Sequence, residues 1–127
     1  MERRYRLSHT ADFERVRKEG RSWAQPLFVL SASRNGLDHS RFGFIVSRRV
    51  GSAVVRNRVK RQLREVVRRH LEEIPQGWDV VLIARAPIVG AEFSQIEQAF
   101  TELLRRAHGW LSAPEAAAKS PSAGQPA

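Results

Sequence analysis

The stretch from Arg48 to Arg69 constrains the fold more than any other part of the chain. Val59, Leu63, Val66 and Val67 recur at helical spacing, and His70, Leu71 and Ile74 continue the series. At about 100° per residue, Asn57, Lys60, Arg61, Arg64 and Arg68 collect on the other side. Nine of the 22 residues are Lys or Arg, and only Glu65 is acidic. Ordinary solvated helices interleave both signs. A helix built this way needs a core beneath it and a polyanion above it. The host chain has 127 residues, enough for one domain around one core.

The flanking segments supply that core. Ser8 or Thr10 can cap a first helix that runs to about Glu19, before the stop at Gly20, with residues 3–7 extended ahead of it. Phe13 and Arg17 are four apart and share a side of this helix. Phe13 reads either as a core anchor or as an aromatic lining a groove. Residues 22–34 read as strand, with Pro26 marking an edge or a break into two. Asn35-Gly36-Leu37-Asp38 is a turn, and residues 40–47 are a strand turning Phe42, Phe44 and Val46 to the core. Gly51-Ser52 leads into the basic helix with Ser52 as cap, and that helix is expected to stop near Pro75, Gln76 and Gly77. Residues 78–86 form an apolar strand of internal type, and a helix before it implies a crossover. The last helix opens at Phe93-Ser94, with a capping-box pattern over Ser94 to Glu97. The result is an α+β, two-layer α/β sandwich of order α-β-β-(β)-α-β-α on a mostly antiparallel, four-stranded sheet. It occupies residues 1–112, and 113–127 are an Ala/Pro/Ser-rich tail whose composition predicts disorder.

The chemistry predicted from these residues is electrostatic. A formal charge of +9 favours a nucleic acid, an anionic surface or an acidic protein as partner. Without cysteine there is no thiolate nucleophile, disulfide or Cys-bound zinc. His9, His39, His70 and His108 lack the spacing of a helical metal site, and no glycine run has phosphate-loop spacing. His70, on an apolar helix face, is expected to be a satisfied, buried side chain. No apolar run is long enough for a membrane span, so no membrane partner and a cytoplasmic location are expected. Arginine dominates the basic residues, and its planar donor fork matches phosphate oxygens. Asn57, a modest helix former between Arg56 and Arg58, suggests a backbone or base-edge hydrogen bond.

These motifs, taken in order, resemble the protein subunit of bacterial ribonuclease P over roughly residues 3–111. The likeness rests on Arg6-Leu7, Asp12-Phe13, Gly20, Phe28-Val29-Leu30, Arg41-Phe42-Gly43-Phe44, Val46-Ser47-Arg48-Arg49, Gly51 to Ala53, Arg56-Asn57-Arg58 through Arg61, and Asp79 to Arg85 with Pro87. It implies a left-handed βαβ crossover, a fold shared with a ribosomal-protein domain, and a role in hydrolytic removal of the 5′ leader from precursor tRNA. The implied partners are the RNA subunit and precursor tRNA, not DNA. Catalytic Mg2+ would sit mainly on the RNA, and no catalytic residue is expected in this chain. The resemblance assigns RNA-subunit binding to Arg48, Arg49, Arg56, Asn57, Arg58, Lys60, Arg61, Arg64 and Arg68. It assigns the leader to a cleft between the first helix and the sheet, marked by Phe13, Arg17 and Ser31. Arg17 and Ser31 stand where some relatives carry aromatics. The competing expectation is a noncatalytic ribosomal or RNA-chaperone protein of the same fold. A DNA-binding regulator is a weaker one, since no dimer seam is evident.

Overall fold

A computed structural model describes residues 2–112, so the expected tail lies outside the described residues. Its elements are α1 (Thr10–Glu19), β1 (Arg21–Ala24), β2 (Phe28–Arg34), β3 (Arg41–Ile45), α2 (Ala53–Arg69), β4 (Trp78–Ala84) and α3 (Phe93–Leu111), with three short 3-10 turns between or before them. Pro26 does divide residues 22–34 into two strands. They pair antiparallel as a hairpin, with Trp23 opposite Leu30. The sheet order is β1-β2-β4-β3. β2 runs antiparallel to β4, while β3 runs parallel to it, so α2 is the crossover connecting β3 to β4. β4 is internal, as its doubly apolar pattern requires, and only Ile83 along it is not buried.

The main core lies between the sheet and the pair α2 and α3. Val59, Leu63, Val66 and Val67 of α2 meet Phe28, Leu30, Phe42, Val80 and Leu82 in one cluster with Ile96, Phe100 and Leu103 of α3. Trp78 is fully buried there, and its indole N–H donates to the Leu111 carbonyl at 3.0 Å. That bond satisfies the one polar atom of the largest core side chain.

Several local expectations shift. Residues 3–5 form a 3-10 turn and only Arg6 bridges Phe42, so the N-terminal segment is not extended throughout. α1 begins at Thr10 after His9, with no side-chain cap from Ser8 or Thr10. The capping box of α3 is made by Glu92 and Gln95, two residues earlier than the Ser94 pattern. Helix α2 stops at Arg69 rather than near Gly77. The chain then turns in a 3-10 segment, Leu71–Glu73.

His70 explains that early stop. Its Nδ1 lies 2.7 Å from Glu73 and its Nε2 2.9 Å from Glu97 of α3, and Arg69 approaches Glu97 at 3.7 Å. Burial pushes the imidazole pKa down, but the two carboxylates outweigh burial and the net shift is upward. A raised folded pKa stabilises the fold below the unfolded value of 6.5 and loses that contribution as pH climbs through the folded value. His70→Gln should therefore lower the melting temperature most near pH 6, with the deficit shrinking by pH 8.5. Thermal melts of both proteins across that range check this, and a deficit constant with pH would show that the imidazole acts as a neutral packing group.

The opposite sheet face is covered by α1 alone, over a small cluster of Leu7, Val16 and Val81. Beside it, fully buried Asp79 accepts bonds from Arg41 Nε at 2.9 Å, Arg41 Nη2 at 2.7 Å and Asn35 Nδ2 at 3.0 Å, and also from Arg15 of α1. Burial pushes this carboxyl up, but bonds from Arg41, Asn35 and Arg15 prevail and hold it below its ordinary value. At the open edge of β1, Arg106 of α3 donates to the Ala24 carbonyl at 2.9 Å.

Candidate RNA-binding surfaces

The basic face of α2 is anchored from its first turn. Ser52 caps the helix as expected, accepting the Val55 N–H at 3.4 Å. Gly51 precedes it at φ 157°, and the Arg56 guanidinium donates to the Gly51 carbonyl at 2.9 Å. Arg56 thus ties the incoming loop to the helix. Asn57, Arg58 and Arg61 are exposed and make no ion pair or side-chain hydrogen bond among the described residues. Arg48 and Arg49 are also exposed, in the turn between β3 and α2. Lys60 and Arg64 lie half-buried along the flank nearest β3, and the Arg64 guanidinium stands 5.9 Å from the centre of the Phe44 ring. A cation held over an aromatic face is presented with less loss of side-chain freedom.

Arg68 differs from this group. It grips Glu65 with bonds of 2.9 and 2.6 Å, and Arg69 adds another at 3.1 Å. These hydrogen bonds hold the Glu65 carboxyl down to about 2. Arg68 therefore lies on the expected face, but its donor fork is already occupied by a carboxylate.

Around the edge of β3 the basic face runs into a second feature. A cleft of about 240 Å³ is lined by Arg6, Phe13, Gly43, Phe44, Lys60 and Arg64, among others. Phe13 is half-buried, and its ring fills the space where Gly43 lacks a side chain. A Cβ at Gly43 would stand 2.5 Å from the ring Cζ. Phe13 is thus both a packing residue and a groove wall. Two surfaces that sequence reasoning kept apart, the α2 cations and the Phe13 cleft, share one groove.

The other two cleft residues part company. Arg17 is exposed on the same flank of α1 as Phe13, without an ion pair or side-chain hydrogen bond among the described residues. Ser31 is 2% exposed, and its hydroxyl lies 2.6 Å from that of Ser22, so it faces no open groove. The next cross-strand row is more open. Val29, Ile83 and Ile45 sit in register on β2, β4 and β3, each half-buried. This aliphatic row and Arg6 were missed by sequence reasoning. Strand alternation puts Val29 on the side of Ser31, but only the pairing register aligns it with Ile83 and Ile45.

Among the described residues, no three His, Asp or Glu side chains gather into a possible metal site. No described helix is long and apolar enough to cross a membrane. An α+β sandwich with one such cationic helix running into an aromatic-walled groove defines a nucleic-acid-binding protein.

Comparison with known proteins narrows the class. Residues 1–108 match the family model described as Ribonuclease P. The ribonuclease P protein component of Herpetosiphon aurantiacus is 44% identical over 110 residues, covering 87% of this chain and 89% of the relative. The Staphylococcus aureus RNase P protein superposes with a TM-score of 0.76 at 38% identity, over 81% of this chain and 94% of that one. The Thermotoga maritima RNase P protein gives 0.73 at 37% identity, over 80% and 96%. The chain belongs to the ribonuclease P protein family, the RNA-binding protein component of that tRNA-processing ribonucleoprotein.

Proposed function

We propose that this chain assists a catalytic RNA in cutting the 5′ leader from precursor tRNA in the cytoplasm. It docks on the RNA subunit through the outer face of α2 and holds the single-stranded leader in the groove between α1 and the sheet. The observation carrying this reading is the continuity of the groove. Phe13 from α1 and Lys60 and Arg64 from α2 line the same cleft, so a strand resting on the aromatic also meets cations.

The parts divide the work by chemistry. The planar ring of Phe13 offers an unpaired base a stacking surface worth about 1–3 kcal/mol. Lys60 and Arg64 neutralise phosphates alongside it, and exposed Arg17 extends the charge along α1. Arg58 and Arg61, pointing away from the core, meet the RNA subunit. In this reading magnesium belongs to the RNA, whose phosphates supply the hard oxygen ligands that the ion prefers. The protein contributes placement and charge neutralisation, and no side chain of it takes a proton in the cut.

Reconstitution tests the reading. The purified protein, mixed with a bacterial ribonuclease P RNA and precursor tRNA at low magnesium, should raise the cleavage rate and yield a 5′-phosphorylated mature end. Cleavage no faster than with the RNA alone would sink it.

A further inference from the structure

We infer that Arg15, Arg41 and Asp79 form a clamp that sets the roll of α1 and thereby positions Phe13 in the groove. The inference rests on the leader-cleft reading and adds residues which that reading does not use.

Helix α1 is weakly held by apolar contact. Val16 is its single buried residue along ten positions. A helix gripped by so small a stripe has little to fix its rotation about its own axis. The polar contacts are directional instead. Asp79 lies fully buried near the start of the internal strand β4, in register with Arg41 of β3 and Ser33 of β2. Arg41, from neighbouring β3, meets it with a two-pronged fork at 2.9 and 2.7 Å. Arg15 reaches the same carboxylate from α1 and also donates to Ser33 Oγ at 3.2 Å and the Arg34 carbonyl at 3.1 Å. Asp12, one turn earlier, stands 3.6 Å from both guanidinium groups. Paired planar forks on one carboxylate tolerate little rotation, and a buried charge that loses a partner is costly.

The geometry ties this clamp to the groove. Asp12 and Arg15 occupy one flank of α1, while Phe13 and Arg17 occupy the other. The Phe13 ring has a narrow seat, since Gly43 leaves no room even for a methyl group. Any roll of α1 would lift the ring from Gly43 or drive it into β3. The other wall of the groove is independent of the clamp: Lys60 and Arg64 belong to α2, packed on the opposite sheet face with the main core. Loosening the clamp should therefore damage leader capture and spare docking on the RNA subunit.

The test uses full-length Arg15→Met and Arg15→Lys in the reconstituted holoenzyme, with Phe13→Ala as reference. Arg15→Met should weaken binding of leader-bearing precursor about tenfold relative to mature tRNA, a loss within the range of one stacked base. Affinity for the RNA subunit should stay within about twofold, because the counterion term on α2 is untouched. Arg15→Lys should recover part of the loss. In a Phe13→Ala background Arg15→Met should add nothing, since both act through one ring. NOEs between the Phe13 ring and the Gly43 α-protons, measured on the protein alone, should weaken in Arg15→Met and return in Arg15→Lys. If Arg15→Met fails to fold, Arg15→Lys is read in the same way, with a smaller loss expected. Additive losses, an equal drop in RNA-subunit affinity, or unchanged NOEs would overturn the clamp. A Phe13→Ala protein with no leader defect would instead overturn the leader-cleft reading, leaving the NOEs to decide the clamp.

Discussion

Replacing Arg58 and Arg61 together with alanine should lower affinity for ribonuclease P RNA about 30-fold near physiological salt. It should also flatten the plot of log affinity against log salt by about 1.8, because each lost phosphate contact removes roughly 0.9 of a released counterion. Arg58 and Arg61 are both exposed, so neither substitution opens the core. Alanine is also the better helix former, which keeps α2 intact. Arg68→Ala is the internal control. Its charge already answers Glu65, so it should change the slope by less than half as much as either of the other two. Binding measured over a salt series separates the cases, and a slope unchanged in the double variant would remove α2 from the RNA interface.

The second large effect concerns a residue with no side chain. Gly43→Ala should cost as much leader affinity as Phe13→Ala, about 5- to 150-fold, the equivalent of one lost stacking contact. The added methyl would stand 2.5 Å from the Phe13 ring Cζ, and the ring end is the part free to swing away. Phe13 would then leave the groove while the backbone stays in place. Binding of leader-bearing precursor should fall, binding of mature tRNA should hold, and the melting temperature should change little. A Gly43→Ala protein that grips the leader like the wild type would show that the seat of Phe13 is not part of the groove.

Much of this arrangement was legible because helical periodicity is local. Val59, Leu63, Val66 and Val67 declare the buried side of α2 within three turns, and the arginines declare the other. Pro26 reported its own break, since a residue without an N–H cannot sit inside a paired strand. The errors came where distant partners decide. Helix α2 stops at Arg69 because His70 is engaged by Glu73 and by Glu97, the latter 27 positions away. Ser31 came from the resemblance, which carries no depth, and the structure buries it beside Ser22 of the neighbouring strand. The carboxylate of Asp79 answers Arg15 across 64 positions and Arg41 across 38. No window of sequence brings those three together. The groove was foreseen as a cleft, but the half-buried aliphatic row on the same sheet face waited for the register that aligns Val29, Ile83 and Ile45.

The ends of the sheet bear on what this protein does before it meets RNA. An open strand edge is a template for another strand, and a sheet left open invites stacking of one molecule on the next. Here the β3 end is taken up by the segment after the first turn, where the Leu7 N–H donates to the Phe42 carbonyl at 2.8 Å. The β1 end is four residues long, starts with Arg21 and has its last carbonyl occupied by Arg106. Each end is partly covered by the chain's own groups, and the β1 end carries cations that repel their counterparts on a second copy. The charge that draws the molecule to RNA also opposes the pairing of one copy's strand edge with another's.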